Sequence, residues 1–146
     1  MVEIKVFESV CSVAFSEKIS DGISSYEIFD RIGKGGIDID MVSMEITAGD
    51  IMGVGFTVRD DDLSRLLPLI KSDKITTPVI NCGNVKVVIK AEEMVGCPGV
   101  MAKVFSALDK VGCIPLLVTT GIDEISVLVR DSDGTDAGKA LHAIFS

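Results

Sequence analysis

The sequence predicts an α+β fold in which one βαββαβ unit occurs twice, and three observations carry that reading. Apolar residues recur at helical spacing in four segments, and they alternate or run together in the segments between. The order of these segments starts again halfway along the chain. A glycine stop follows the first helix of each half at the same offset.

Val2 to Phe7 is an extended run, followed by the alternating segment Val10 to Ile19 and the turn cluster Ser20-Asp21-Gly22. Ile28, Phe29 and Ile32 then share one face of a helix that Gly35-Gly36 ends. Ile37 to Ile46 and Ile51 to Val58 read as a hairpin turning at Thr47-Ala48-Gly49-Asp50. Asp60-Asp61-Asp62 opens a second helix, because carboxylates complement the partial positive charge of a helix start, and Leu63, Leu66, Leu67 and Ile70 form its buried stripe. Pro68 inside that stripe removes a backbone donor and predicts a kink or an early stop. The strand Pro78 to Cys82 closes the unit.

The order then repeats. Val85 to Ala91 is a strand, Gly96-Cys97-Pro98-Gly99 a turn, and Val100, Val104, Leu108 and Val111 the core face of a helix stopped by Gly112. Strands Ile114 to Thr120 and Glu124 to Arg130 follow, then a helix from Thr135 to Phe145. At a constant offset of 76, Phe29, Lys34, Gly36 and Val42 fall on Phe105, Lys110, Gly112 and Val118. Past a hairpin five residues shorter, Val58-Arg59-Asp60 falls on Val129-Arg130-Asp131. This pattern reads as a duplication with domains at 8–83 and 84–146, each the split β-α-β arrangement of ferredoxin-like domains. The second unit lacks a closing strand and the first has one too many, so residues 2–7 are expected to complete the second, interweaving the two.

Composition excludes several functions. A net charge of −8, no Trp and the single tyrosine Tyr26 disfavour phosphate attraction and base stacking, so neither nucleic acid nor an anionic membrane surface is an expected partner. No apolar run reaches the roughly 20 residues of a membrane helix, and Met1 to Phe7 lacks the features of a signal peptide, which makes the cytoplasm the expected compartment. Cys11, Cys82, Cys97 and Cys113 include no Cys-x-x-Cys, and the one histidine, His142, is far from them in sequence. Buried free thiols, no metal and no cofactor are the expectation. Gly33-Lys34-Gly35-Gly36 lacks phosphate-loop spacing and follows a helix instead of preceding one. The aspartates at 60–62, 131, 133 and 136 lack calcium-loop spacing and read as solvated helix openings.

Gly36-Ile37-Asp38-Ile39-Asp40-Met41-Val42 resembles the signature after the first helix of aspartokinase ACT domains. In the second unit, Cys97-Pro98-Gly99-Val100-Met101-Ala102-Lys103-Val104-Phe105-Ser106-Ala107-Leu108 resembles that family's first helix, and Thr119-Thr120 through Ile125-Ser126-Val127-Leu128-Val129 its sensing hairpin. Lys139-Ala140-Leu141-His142-Ala143-Ile144-Phe145 resembles its last helix. Motifs from four elements thus occur in order over nearly the whole chain from Val10.

The resemblance implies a tandem ACT regulatory module, without a kinase catalytic domain, that binds lysine or threonine where ACT domains meet and gives feedback control of an aspartokinase. It implies a homodimer, and a catalytic aspartokinase subunit as a partner. By analogy the first site would use Asp21, Gly22, Ile23, Ser24, Asp38, Ile39 and Asp40, with Thr119 and Thr120 from the partner domain. A second would use Cys97, Pro98, Gly99, Val100 and Ile114. The physical sense is that helix-start N–H groups suit the carboxylate of a free amino acid and nearby carboxylates its ammonium. Asp21 and Asp38 tilt the first site toward lysine, although Asp21 also reads as a helix cap and Asp38 as a solvated strand residue. Thr119 and Thr120 read equally as β-branched strand residues. The first turn has Asp-Gly-Ile in place of the family's Pro-Gly, and Ile114, Pro115 and Ile122 replace family residues in the second unit, so the two sites are expected to be unequal, with ligand at the first. Two other function classes stand beside this one. An enzyme on the same fold is disfavoured for want of a histidine-centred constellation or metal spacing, and a dimerisation module whose ligand site has degenerated is the alternative.

Overall fold

The computed structural model describes residues 1–145 and contains six strands and four helices. These are β1 (Val2–Lys18), α1 (Ser25–Lys34), β2 (Val42–Ala48), β3 (Ile51–Arg59), α2 (Leu63–Leu66), β4 (Val79–Ala91), α3 (Val100–Lys110), β5 (Leu117–Thr120), β6 (Glu124–Val129) and α4 (Asp131–Phe145). The chain divides into two units, one formed by Ser9–Cys82 and the other by Met1–Glu8 together with the chain from Gly83 onward.

In the unit 9–82 the strands lie in the order β2-β3-β1, with residues 79–82 of β4 beside β1. β1 pairs antiparallel with β3 from Val10 opposite Arg59 to Lys18 opposite Ile51, and β2 pairs antiparallel with β3. The period of two in β1 sends Cys11, Val13, Phe15 and Glu17 to one face, where all four are buried. α1 forms because Ile28 and Ile32, one turn apart, bury completely against that face, each worth roughly 1.5–3 kcal/mol of hydrophobic transfer. Phe29 meets the buried Phe56 edge to face, with ring centroids 5.5 Å apart. α2 is a single turn. It gives way to a 3-10 turn at Leu67–Leu69 that contains Pro68, the early stop that proline predicted.

In the other unit the order is β1-β4-β6-β5, with β1 contributing residues 2–8 and β4 its residues from Gly83. Val85 to Lys90 pair antiparallel with Val129 to Glu124, and β5 pairs antiparallel with β6. Val104, Leu108, Ala137 and Leu141 bring α3 and α4 onto Val85, Val87, Ile89 and Val127, and Val2 and Ile4 pack against the same cluster. Gly134 permits the close approach of α4, since a Cβ there would stand 3.0 Å from Val85 Cγ2.

α1 and α3 end by the same device. Gly36 and Gly112 both adopt left-handed backbone, and the following residues donate back across the last turn, Ile37 to Ile32 O at 3.2 Å and Cys113 to Leu108 O at 2.9 Å. The positions differ by the same 76 residues that separate the sequence motifs.

Four expectations are corrected. The runs 2–7 and 10–19 are one strand, and so are 78–82 and 85–91; the interruptions are single residues with positive φ, Ser9 at 59° and Gly83 at 73°, which stand where the chain passes between units. The strands expected from Ile37 and Ile114 begin later, at Val42 and Leu117. Ile37 and Met41 are buried, and in that stretch Asp40 and Met41 bond to the opposing strand, at Thr57. The final helix starts four residues early, at Asp131. Finally, Cys11 and Cys113 are buried free thiols, whereas Cys82 and Cys97 are exposed. No helix among the described residues is long and apolar enough to cross a membrane.

Candidate ligand site

The two helix starts singled out by sequence are built differently. Before α1, Ile19–Asp21 forms a 3-10 turn, and Gly22, at a φ of 86°, donates its N–H to Ile19 O. Ile23 is half-buried, and Ser24 and Ser25 are buried. Glu17, 3% exposed, reaches this point from β1. Its Oε2 accepts the Ser25 backbone N–H at 3.1 Å and the Ser24 hydroxyl at 3.3 Å, and its Oε1 accepts the Ser25 hydroxyl at 3.3 Å. A carboxylate of the chain therefore occupies the position where the N–H groups of a helix start would hold the carboxylate of a ligand.

Asp21 is exposed, in the 3-10 turn, and Asp38 and Asp40 are exposed on the stretch leading to β2, with Ile39 half-buried between them. Among the described residues neither Asp21 nor Asp38 is in an ion pair. The Lys74 ammonium stands beside Gly22, 3.9 Å from where a Cβ would be. Thr119 and Thr120 lie in the other unit, at the end of β5.

The start of α3 is open. Gly99, left-handed at a φ of 90°, precedes the helix and accepts its first bond from Lys103 N–H, and its residue type offers no side chain to cap the remaining donors. Pro98 and Gly99 turn the chain sharply after Cys97, whose N–H is held by Met94 O at 3.1 Å. Facing this helix start is the turn between β5 and β6, closed by Gly121 N–H to Glu124 O at 2.7 Å. Between them is a cavity of about 300 Å³, lined by Cys97, Gly99, Val100, Thr120, Ile122 and Glu124 over an apolar floor of Met94, Met101 and Ile125. That volume is at the small end of the range of about 300–1,000 Å³ for small-molecule sites. Helix-start N–H groups, a hydroxyl and a carboxylate around an apolar floor can hold a carboxylate, an ammonium and a short aliphatic side chain together.

Of the residues expected at the second site, Cys97, Gly99 and Val100 line this cavity. Pro98 does not, and Ile114, 77% exposed, does not. Thr120, expected as a wall of the first site, lines this one, while its neighbour Thr119 is half-buried opposite Ser126 and outside it. Glu17 and Glu124 were missed. Alternation along β1 placed Glu17 on the face of Cys11, Val13 and Phe15, a buried carboxylate that needed a partner. Glu124 carried no such signal, since only the fold brings its strand start to the α3 turn. A larger recess of about 700 Å³ follows residues 67–80 and contains none of the expected residues.

The segment that carries the cavity also matches a known family model. Residues 87–145 match the ACT domain model. Over 145 residues the chain is 26% identical to an aspartokinase from Geobacillus stearothermophilus, covering 93% of this chain and 36% of that protein. It is 27% identical over 122 residues to aspartokinase 2 of Bacillus subtilis, covering 81% of this chain and 30% of that protein. The chain thus spans about a third of the length of the aspartokinases it matches. Among solved structures, the ligand-free regulatory subunit of aspartate kinase from Thermus thermophilus superimposes with a TM-score of 0.85 at 20% identity, covering 98% of this chain and 97% of that one. Aspartate kinase from Synechocystis superimposes with a TM-score of 0.82 at 27% identity, covering 97% of this chain and 26% of that one. The fold of that regulatory subunit thus extends over 98% of this chain, the ACT domain model covers residues 87–145, and no kinase catalytic domain lies within the 146 residues.

Proposed function

We propose that this chain is a tandem pair of ACT domains, residues 8–83 and residues 84–146 completed by residues 2–7, that senses a free amino acid and gives feedback control of an aspartokinase. Lysine or threonine is the ligand, and a catalytic aspartokinase subunit is the partner it acts on. The observation that carries the reading is the cavity at the start of α3, where unfilled helix-start donors, Thr120 and Glu124 converge on a space of amino-acid size. The ligand carboxylate binds at the helix start and its ammonium at Glu124. This moves the preferred site from Asp21 and Gly22 to Gly99 and Val100, because Glu17 fills the first helix start. Occupancy shifts a two-state arrangement of a homodimer by no more than the difference in affinity between the states.

Titration calorimetry of the whole chain against the twenty amino acids tests this. Heat from lysine or threonine at millimolar concentration or below is expected. Silence across the panel would leave the second reading, a dimerisation module with a degenerate ligand site, which the filled α1 start favours at that position. Incubation with ATP and aspartate should give no turnover, and sedimentation should give a dimer.

A further inference from the structure

The cysteines are scattered in sequence, yet two of them are joined in space. Cys11 is buried on the core face of β1, and Cys82 is exposed on β4; their Sγ atoms are 2.8 Å apart. The Ser12 hydroxyl reaches Asn81 O at 3.5 Å beside the same pair, and β1 and β4 adjoin in the sheet. The Asp60 carboxylate is near enough that all three donor atoms lie within 4.8 Å of one another.

Two chemistries compete for this cluster, and distance separates them. A tetrahedral zinc ion with Zn–S bonds of about 2.3 Å holds two thiolates about 3.8 Å apart, so a metal would have to spread the sulfurs against a packed core. The three donors would also leave a tetrahedral structural zinc one protein ligand short. A disulfide of about 2.05 Å asks only for a further approach of the same two atoms and leaves no charge. We propose that Cys11 and Cys82 are a modification site, closing to a reversible disulfide by exchange with a low-molecular-weight disulfide of the glutathione type.

Cys82 starts the exchange because it is the accessible sulfur. Burial, reinforced by the adjoining Cys82 thiol, pushes Cys11 up to about 12, which keeps it from attacking first. The Cys82 thiolate attacks the external disulfide, forms a mixed disulfide and releases one small thiol. Cys11 then gives up its proton and attacks the Cys82 sulfur, releasing the second. The sum is one protein dithiol and one small disulfide converted to one protein disulfide and two small thiols, with two electrons passed to the small molecule.

The test equilibrates the whole chain with reduced and oxidised glutathione in varied ratio, alkylates free thiols under denaturing conditions and maps peptides by mass. The expected product is about 2 Da lighter, from the two hydrogens lost. It has Cys11 joined to Cys82, leaves Cys97 and Cys113 alkylated, and reverts with dithiothreitol. Cys11→Ala should halt the reaction at a stable glutathione adduct on Cys82, and Cys82→Ser should abolish closure completely. A wild-type chain that stops at the adduct, links Cys82 to another cysteine, or leaves Cys11 alkylatable at the most oxidising ratio overturns the proposal. So does equimolar zinc that survives gel filtration and shields both thiols, which would make the cluster a metal centre.

Discussion

The starts of α1 and α3 open helices of similar length, yet the chain brings a carboxylate of its own onto the first and leaves the second facing a cavity. At α1 the first backbone donor, Ser25 N–H, is taken by Glu17, a residue on the preceding strand; at α3 the helix start faces a cavity whose carboxylate, Glu124, stands across from it. A helix start is an anion site only when the chain brings no anion of its own. The residue that decides this lies outside the turn.

Four substitutions or conditions would break or sharpen that contrast. The largest effect on stability is expected from Glu17→Ala, which strands the buried Ser24 hydroxyl and Ser25 N–H and should cost about 2 kcal/mol in urea unfolding. Glu124→Ala, at an exposed position, should stay within about 0.5 kcal/mol of wild type. Equal costs would mean that Glu17 does not seal its helix. Next, Glu124→Gln should weaken amino-acid binding about tenfold, or about 1.4 kcal/mol by calorimetry, while Asp21→Asn leaves it unchanged. The reverse result would return the ligand to α1. Third, Gly99→Ala forces an L side chain into left-handed backbone and should lower stability by about 1 kcal/mol and weaken binding too. Gly22→Ala, also at positive φ, should lower stability alone.

The smallest effect concerns the strand-to-helix joints. Asp62 accepts from Arg65 at 2.7 Å and pairs with Arg59; the Arg65 bond, helped by both cationic charges, holds its carboxyl below the ordinary 3.8. A carboxylate with a depressed folded value adds stability above its unfolded value, and that contribution is lost as pH falls through the folded one. Acid unfolding of the unit 9–82 should therefore shift to higher pH in Asp62→Asn, and unfolding at pH 7 should separate the two proteins more than unfolding at pH 2. Among the described residues Asp131 and Asp133, at the matching joint, are in no ion pair, so Asp133→Asn should not alter the profile.

Local physics made most of the fold legible. The stripes Ile28/Ile32 and Val104/Leu108, with Gly36 and Gly112 behind them, specify two helices and their ends without outside help. What escaped depends on distant partners. Residues 37–41 alternate like a strand, yet Ile37 bonds back to Ile32 in α1, and the bonds toward β3 come at Asp40 and Met41 with Thr57. The polar pair Glu8-Ser9 separates two apolar runs, so one strand read as two. The helix starts were legible as candidates because glycine and small polar residues mark them. Their occupancy was not, because Glu17 and Glu124 arrive from strands whose pairing the local pattern does not state. Cys11 and Cys82, 71 positions apart, meet for the same reason.

The composition of the second unit has a consequence for how it comes into being. Its strand from residues 2 to 8 precedes the whole of 9–82 along the chain, whereas its remaining strands and both helices follow only after 9–82 has been made. The unit 9–82 can gather its core as it emerges. The other holds its opening strand unmatched until β4 emerges beyond residue 82, and such joining of distant segments is slow. Val2 and Ile4 stay exposed through that wait, which gives a chaperone a defined segment to guard and a truncation of the first eight residues a defined casualty, the core around Val85 and Leu141.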